Sequence, residues 1–268
     1  MVKTFATKYK SEKLGQHLLI DKNVLNKIID VAKIKKTDII LEIGPGTGNL
    51  TSYLLEKAKK VIAVEKDRDA VKYLKVFILD KNLLVLEDDI LKFNIEKEIK
   101  GRYKVVANIP YYLTGNLIRT LLERKNKPIS IIILVQKEVA LRIISQPPNA
   151  NILSNSVQLY GKPEIIQEVS RKAFSPRPRV ESAILEIKDI KTPKDIIEKK
   201  FFQIVKVAFS SPRKKMISNI SSGLGINKEI VKKAVLSLGF SEGARSQELT
   251  VNNWKDLYYK LIKEIDAR

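Results

Sequence analysis

Along the first half of the chain, apolar residues come in short, nearly unbroken runs of Ile, Val and Leu. Stretches in which they recur every three or four positions lie between the runs. The runs are DIILEIGPG at 38–46, KKVIAVEKD at 59–67, LLVLEDDI at 83–90, YKVVANIP at 103–110 and ISIIILVQ at 129–136. The intervening periodicity predicts a helix after the first run with Leu50, Leu54 and Leu55 on one side, and others at 68–79, near 114–125 and at 137–144. Buried strands alternating with amphipathic helices predict a parallel sheet covered on both faces. Right-handed crossovers then bring the C-terminal ends of the strands to one edge. That edge collects Gly44, Glu65, Asp89 and Asn108.

The pattern changes after residue 145. SQPPNANILSN, with two prolines, reads as a loop, and SNSVQLYG, PEIIQEVSRKAF and VESAILEIKD read as strands. The last two are joined by the turn-rich SPRPR, which suits antiparallel strands at the end of the sheet. KTPKD at 191–195 predicts a boundary between a domain at 1–190 and a helical one at 191–268. The second domain carries helical periodicity at 196–209, 213–224, 228–239 and 251–265.

Charge narrows the partners. The chain has 268 residues and a formal net charge of +20, of which the segment from 191 onward contributes +8. An excess of that size is offset by a polyanion, so nucleic acid is the expected partner. Arg213, Lys214 and Lys215 form a basic run at the start of a predicted helix, where cations oppose the helix dipole, and so read as phosphate contacts. Arg177 and Arg179 offer a second path for RNA. Cysteine is absent and His17 is the single histidine, so no metal site is expected. MVKTFATKYKSEK lacks the apolar run of a signal peptide and ISIIILV is too short to span a bilayer. The expectation is a soluble cytoplasmic protein without a membrane partner.

The loop EIGPGTGNL at 42–50 invites a ligand close to the backbone. A phosphate-binding loop would need Lys and Ser/Thr after the glycines, where this chain has Asn49 and Leu50. A dinucleotide loop would prefer G-x-G-x-x-G, whereas here the order is Gly44-Pro45-Gly46-Thr47-Gly48, with an acid two positions before the first glycine. Glu65 at the end of the second strand suits ribose hydroxyls in either kind of site. Asp89 after the third can accept from an adenine amino group, with Asp88 beside it as the competing candidate. Together they suggest S-adenosylmethionine, and the nicotinamide reading stays open on the loop alone.

Asn108-Ile109-Pro110-Tyr111 ends the fourth strand. The N6 amine of adenine is a poor nucleophile because its lone pair is delocalised into the ring. The Asn108 side-chain oxygen and the Pro110 carbonyl, as paired acceptors, would draw its hydrogens out of the ring plane as the nitrogen attacks. Tyr111 would stack on the extruded base.

At this point the sequence resembles the ribosomal RNA adenine N6-dimethyltransferases, of the small-subunit type. LGQHLLID at 14–21, EIGPGTG, VEKD, NIPYYLT, AFSPRPRVESAI at 173–184, SPRKK and ARSQELTVNNWKDL at 244–257 follow the family order nearly end to end. The resemblance implies a Rossmann-like class I methyltransferase sheet, mostly parallel with an antiparallel terminal strand, plus a small all-helical C-terminal domain that binds rRNA. It also implies S-adenosylmethionine contacts at His17, Leu19, Gly44, Glu65, Asp89 and Asn108. Asn108, Pro110 and Tyr111 would form the catalytic pocket, with Phe174 closing on the substrate adenine. The implied substrate is two adjacent adenines in the loop of the 3′-terminal helix of small-subunit (16S) rRNA, within a pre-ribosomal 30S particle, and the enzyme is expected to be monomeric. Related erythromycin-resistance methyltransferases, which modify a large-subunit adenine, share NIPY. A non-catalytic ribosome-assembly protein on the same fold is the reading from another class. The chain departs from the family at His17 and Leu18, which stand for Asn and Phe, at Asp88-Asp89 in place of Gly-Asp, and at Asn151–Ser154 in place of Y-G-R-L-S.

Overall fold

The computed structural model describes residues 17–267, so positions 14–16 of the first family segment lie outside it. The chain runs through β1 (Leu18–Leu19), α1 (Lys22–Ala32), β2 (Ile39–Ile43), α2 (Asn49–Leu55), β3 (Lys60–Glu65), α3 (Arg68–Phe77) and β4 (Leu83–Glu87). A short α4 (Ile95–Glu98), β5 (Lys104–Asn108), α5 (Thr114–Glu123), β6 (Ser130–Gln136) and α6 (Lys137–Ile144) follow. Then come α7 (Ile152–Gln158), β7 (Lys162–Val169), β8 (Phe174–Ser175) and β9 (Ser182–Lys188), and last the helices α8 (Glu198–Ala208), α9 (Met216–Leu224), α10 (Lys228–Leu236) and α11 (Val251–Asp266).

Seven strands form one sheet in the order β4-β3-β2-β5-β6-β9-β7. β2 to β6 are mutually parallel; β2, β3, β5 and β6 are buried Ile/Val-rich runs, as interior parallel strands require, and β4 is the half-buried edge. The reversed strand is β9, one place in from the edge, antiparallel to both β6 and β7. Strand order reverses between β2 and β5, which opens a crevice at their C-terminal ends. Side chains cap the helices that enter around it: Asp21 accepts from Asn23 and Val24 N–H ahead of α1, and Asp67 from Asp69 and Ala70 N–H ahead of α3.

The opposite, N-terminal edge is closed by a buried cation. Lys104 Nζ pairs with Asp38 (2.8 Å) and donates to the carbonyls of Ala32 (2.9 Å) and Lys33 (2.8 Å), tying the end of α1 to the sheet. Burial would raise the Asp38 carboxyl, but hydrogen bonds from Lys104 and from Lys35 N–H, with the lysine charge, hold it below its usual range.

Two compact units emerge, one of residues up to 141 with 161–191, the other of 142–160 with 192–268. Residues 142–160, assigned from sequence to the first domain, thus group with the helical C-terminal unit. SNSVQLYG is not a strand. Asn151 accepts from Ser154 N–H while the Ser154 hydroxyl accepts from Asn151 N–H, and this capping box starts α7. The segment read as loop therefore becomes helical at Ile152. In the second unit, Phe201, Met216, Ile220, Trp254 and Leu257 are fully buried at the centre. α9 starts at Met216, three residues later than the periodicity predicts, so Arg213–Lys215 lie in the turn before it. Among the described residues no helix is long and apolar enough to cross a membrane.

Candidate active site

The glycine loop follows β2 into the crevice. Gly44 and Gly46 have φ of 64° and 57°, a region that side-chain-bearing residues rarely adopt. A Cβ on Gly44 would lie 3.7 Å from Pro110 Cδ, and one on Gly46 would press on Leu18 at 3.1 Å. Gly44 thus brings its backbone close to the NIPY turn, and Gly46 brings its own close to Leu18.

Glu65 ends β3 and is 2% exposed. Its Oε2 accepts from Gly46 N–H (3.1 Å), and its Oε1 from Lys66 (2.8 Å) and Asp67 (2.9 Å) N–H. Burial raises its pKa, and those three bonds oppose the shift. Glu65 therefore braces the loop, and a lone pair on Oε2 is left for a ligand hydroxyl. β4 stops at Glu87, so Asp88 and Asp89 lie in the following loop. Asp89 Oδ2 pairs with Lys66 Nζ (3.0 Å) and Oδ1 accepts from Leu91 N–H (3.1 Å), and the lysine holds the carboxyl below its usual range. Asp88 accepts from Asp89 N–H (2.7 Å). Both acids line one cleft with Glu65, Pro110 and Tyr112, the last of which is 65% exposed.

The adjoining cleft is lined by His17, Leu19, Glu42, Gly44, Asn108 and Pro110, among others. Asn108 Nδ2 donates to the His17 carbonyl (2.9 Å), so the amide NH₂ is anchored and Oδ1 is left as the acceptor. Pro110 O already accepts from Leu113 N–H (3.0 Å) in a 3₁₀ turn and keeps one lone pair. His17 reaches the site through β1, which pairs antiparallel with β8. Its Nδ1 donates to the Pro176 carbonyl (2.8 Å), because a carbonyl can only accept, and its ring lies 5.6 Å from Tyr111. Leu19 is buried, and its carbonyl accepts from Asn49 Nδ2 (2.9 Å).

Two expectations change. The Tyr111 hydroxyl bonds Ser182 Oγ on β9 (2.7 Å), so the ring is held by its polar end as well as by packing. Phe174 is 2% exposed and belongs to the hydrophobic core with Leu19, Leu134 and Ile184. Pairing of β8 with β1 turns that ring into the core instead of presenting it on the cleft. The basic candidates Arg177, Arg179, Arg213, Lys214 and Lys215 are all exposed. The turn carrying the last three is fixed by Asn219, whose Nδ2 donates to the Ala208 (2.8 Å) and Ser211 (3.0 Å) carbonyls.

Sequence reasoning passed over Glu42, Tyr112 and Ser182. Glu42 had a signal in its place before the glycines. Ser182 belongs to the AFSPRPRVESAI segment that carries the resemblance, but only the fold brings it to Tyr111.

A model of the family described as ribosomal RNA adenine dimethylase matches residues 7–263. The chain is 38% identical to a ribosomal RNA small subunit methyltransferase A of Alkaliphilus metalliredigens, over 99% of this chain and 96% of that one. A protein of the same name from Fusobacterium nucleatum is also 38% identical, over 96% and 98%. Among solved structures, a dimethyladenosine transferase from Plasmodium falciparum is similar at 28% identity and a TM-score of 0.78, covering 92% of this chain and 98% of its own. The 23S rRNA methyltransferase ErmE shares the fold, with 22% identity, a TM-score of 0.75 and coverage of 91% and 99%. With the glycine loop, the strand-end acids and the NIPY turn gathered on one crevice, the chain belongs to the ribosomal RNA adenine dimethylase family, enzymes that methylate rRNA adenines with S-adenosylmethionine as cofactor.

Proposed function

We propose that this enzyme dimethylates N6 of two adjacent adenines in the loop of the 3′-terminal helix of small-subunit rRNA, acting as a cytoplasmic monomer on a pre-ribosomal 30S particle. S-adenosylmethionine supplies an electrophilic methyl group beside the NIPY turn. Glu65 holds the ribose hydroxyls, Asp89 or Asp88 accepts from the adenine amino group, and His17 and Leu19 border the methionine end. The observation that carries the reading is the anchored Asn108 amide, whose free Oδ1 stands with the Pro110 carbonyl at the strand end. These two acceptors strengthen their hold on the N6 hydrogens as the nitrogen becomes tetrahedral, so their effect falls on the transition state. Tyr111, fixed through Ser182, offers a stacking face for the extruded base. The exposed Arg213, Lys214 and Lys215 hold phosphates, with Arg177 and Arg179 as further contacts.

The names of the relatives favour the small-subunit target. Mass spectrometry of rRNA fragments, after incubation of small-subunit particles with the protein and labelled cofactor, tests it. Two dimethylated adjacent adenines are expected. One modified adenine in large-subunit RNA would move the enzyme to the resistance-type branch, and no incorporated label in either RNA would leave an RNA-binding assembly protein.

A further inference from the structure

The two rims of strand ends on the seven-stranded sheet differ in charge. At the crevice rim, the loops 44–48, 66–67, 88–94 and 109–113 carry Lys66 and Lys92 against Asp67, Asp88 and Asp89. At the opposite rim, the loops 78–82, 56–59, 33–38, 99–103 and 124–129 lie side by side in that order, because they lead into β4, β3, β2, β5 and β6. These five loops hold eleven lysines and arginines against three acids. One of the acids, Asp38, is taken up inside by Lys104. Of the bases, Arg124 pairs with Glu96, and Lys127 Nζ donates to the Arg124 carbonyl. The other nine are exposed. Among the described residues Lys35, Lys59, Lys81, Arg102 and Lys125, one from each loop, form no ion pair. The excess stops at β6. Along the same rim under β9 and β7, Lys188 pairs with Glu164 and Lys162 with Asp189.

The basic loops are also braced against one another. Lys36 Nζ donates to the Glu56 carbonyl (2.6 Å) and Lys59 N–H to the Asp38 carbonyl (2.9 Å). Asn126 Nδ2 donates to the Ile99 carbonyl (3.0 Å), and the Tyr103 hydroxyl to the Asn126 carbonyl (3.0 Å). Unpaired like charges held together repel, and a polyanion laid across them relieves that cost. Five neighbouring strands, at about 4.8 Å each, make the row about 19 Å across. A duplex carries on the order of ten phosphate charges over such a length. The crevice loops, with their small excess of acid, cannot supply that grip. Resting on the small-subunit particle as substrate, we propose that this rim is a second RNA-binding surface. It holds the phosphate backbone of an rRNA segment other than the one whose adenines enter the crevice. Such contacts position the enzyme on the particle and read no sequence.

Binding of the full chain to small-subunit particles, to protein-free small-subunit rRNA and to an isolated stem-loop of the 3′-terminal helix tests this, each over a range of salt. The variant combines Lys35→Gln, Lys59→Gln, Lys81→Gln, Arg102→Gln and Lys125→Gln. Its affinity for particles and for whole rRNA should fall by about tenfold or more at physiological ionic strength, and its log–log salt slope by up to about 3.5–4.5. Affinity for the stem-loop, which occupies the crevice side alone, should not move. Neither should affinity for S-adenosylmethionine, which also reports that the variant is folded. Methylation of particles should show a raised KM with an unchanged kcat. Unchanged particle affinity and slope overturn the proposal. An equal loss on the stem-loop also overturns it, since net charge and not this rim would then be the cause. A loss on particles that is absent with protein-free rRNA would put an acidic protein on the rim in place of RNA. Wild-type protein that prefers large-subunit RNA would instead overturn the substrate reading, and that result needs no variant.

Discussion

Lys104 and Glu42 are both buried and lie on adjacent strands of one sheet, yet their surroundings differ completely. At the N-terminal edge, the lysine ammonium has a carboxylate and two carbonyls around it. At the C-terminal edge, the glutamate Oε2 has no partner among the described residues and a like charge nearby. The first arrangement is complete in the free protein and serves the fold. The second is incomplete among the described residues, as is Asn108 with its free Oδ1. Completed polar groups mark the structural end of this sheet and incomplete ones the chemical end.

The comparison breaks first at Lys104. Lys104→Met leaves the two carbonyls without their side-chain donor and Asp38 with only Lys35 N–H and no charge partner, which should lower the unfolding free energy by about 3–5 kcal/mol. Urea unfolding measures it, and cofactor affinity of the folded protein should not move. A loss under about 1 kcal/mol would mean that this edge is as open as the other.

Asn108→Ala should show the converse. Losing one acceptor from the transition state should cost on the order of 3 kcal/mol, roughly a hundredfold in single-turnover methylation at saturating RNA. Stability should fall by only about 1 kcal/mol, for the bond to His17. Near-normal turnover would end the two-acceptor mechanism even within this family.

Glu65 stands between the two extremes, since it braces the glycine loop and keeps a lone pair for a ligand. Glu65→Ala should weaken S-adenosylmethionine binding by about 1.5–3 kcal/mol in calorimetry. Unchanged affinity would make Glu65 purely structural, like Lys104. The smallest effect belongs to Tyr111→Phe, which leaves Ser182 Oγ without its partner in a buried position. About 1 kcal/mol of stability and a modest loss of turnover should follow, whereas Tyr111→Ala removes a stacking surface worth about 1–3 kcal/mol for the base. Identical behaviour of the two variants would show that the hydroxyl, not the ring, matters.

Much of this molecule is legible along the chain. Five apolar runs became five parallel strands, because strands buried on both faces are made of Ile, Val and Leu, and the fifth, β4, pairs at the edge with β3. Gly44 and Gly46 announced their own backbone, since positive φ is a local property of the residue. Legibility failed at SNSVQLYG, where Asn151, the seventh residue of the segment read as loop, and Ser154, three beyond it, cap each other and start a helix. Propensity alone could not weigh that pair of bonds against an alternating pattern. Phe174, which the family resemblance set against the substrate adenine, is a second such case: pairing of its strand with Leu19, far earlier in the chain, puts the ring in the core.

By itself, then, the sequence determined strand and helix periodicity, the glycine turn and the set of residues on one sheet edge, all consequences of backbone geometry and right-handed crossovers. Tertiary structure decided which atoms of those residues are free. Asn108 shows Oδ1 to the crevice because the His17 carbonyl, 91 positions away, takes its NH₂. Asp89 is engaged by Lys66, Tyr111 is tied to Ser182, and Glu42 is desolvated with no partner for its Oε2 among the described residues. Hydrogen-bond partners and desolvation depend on what the fold brings within about 3 Å, and spacing along the chain does not encode that.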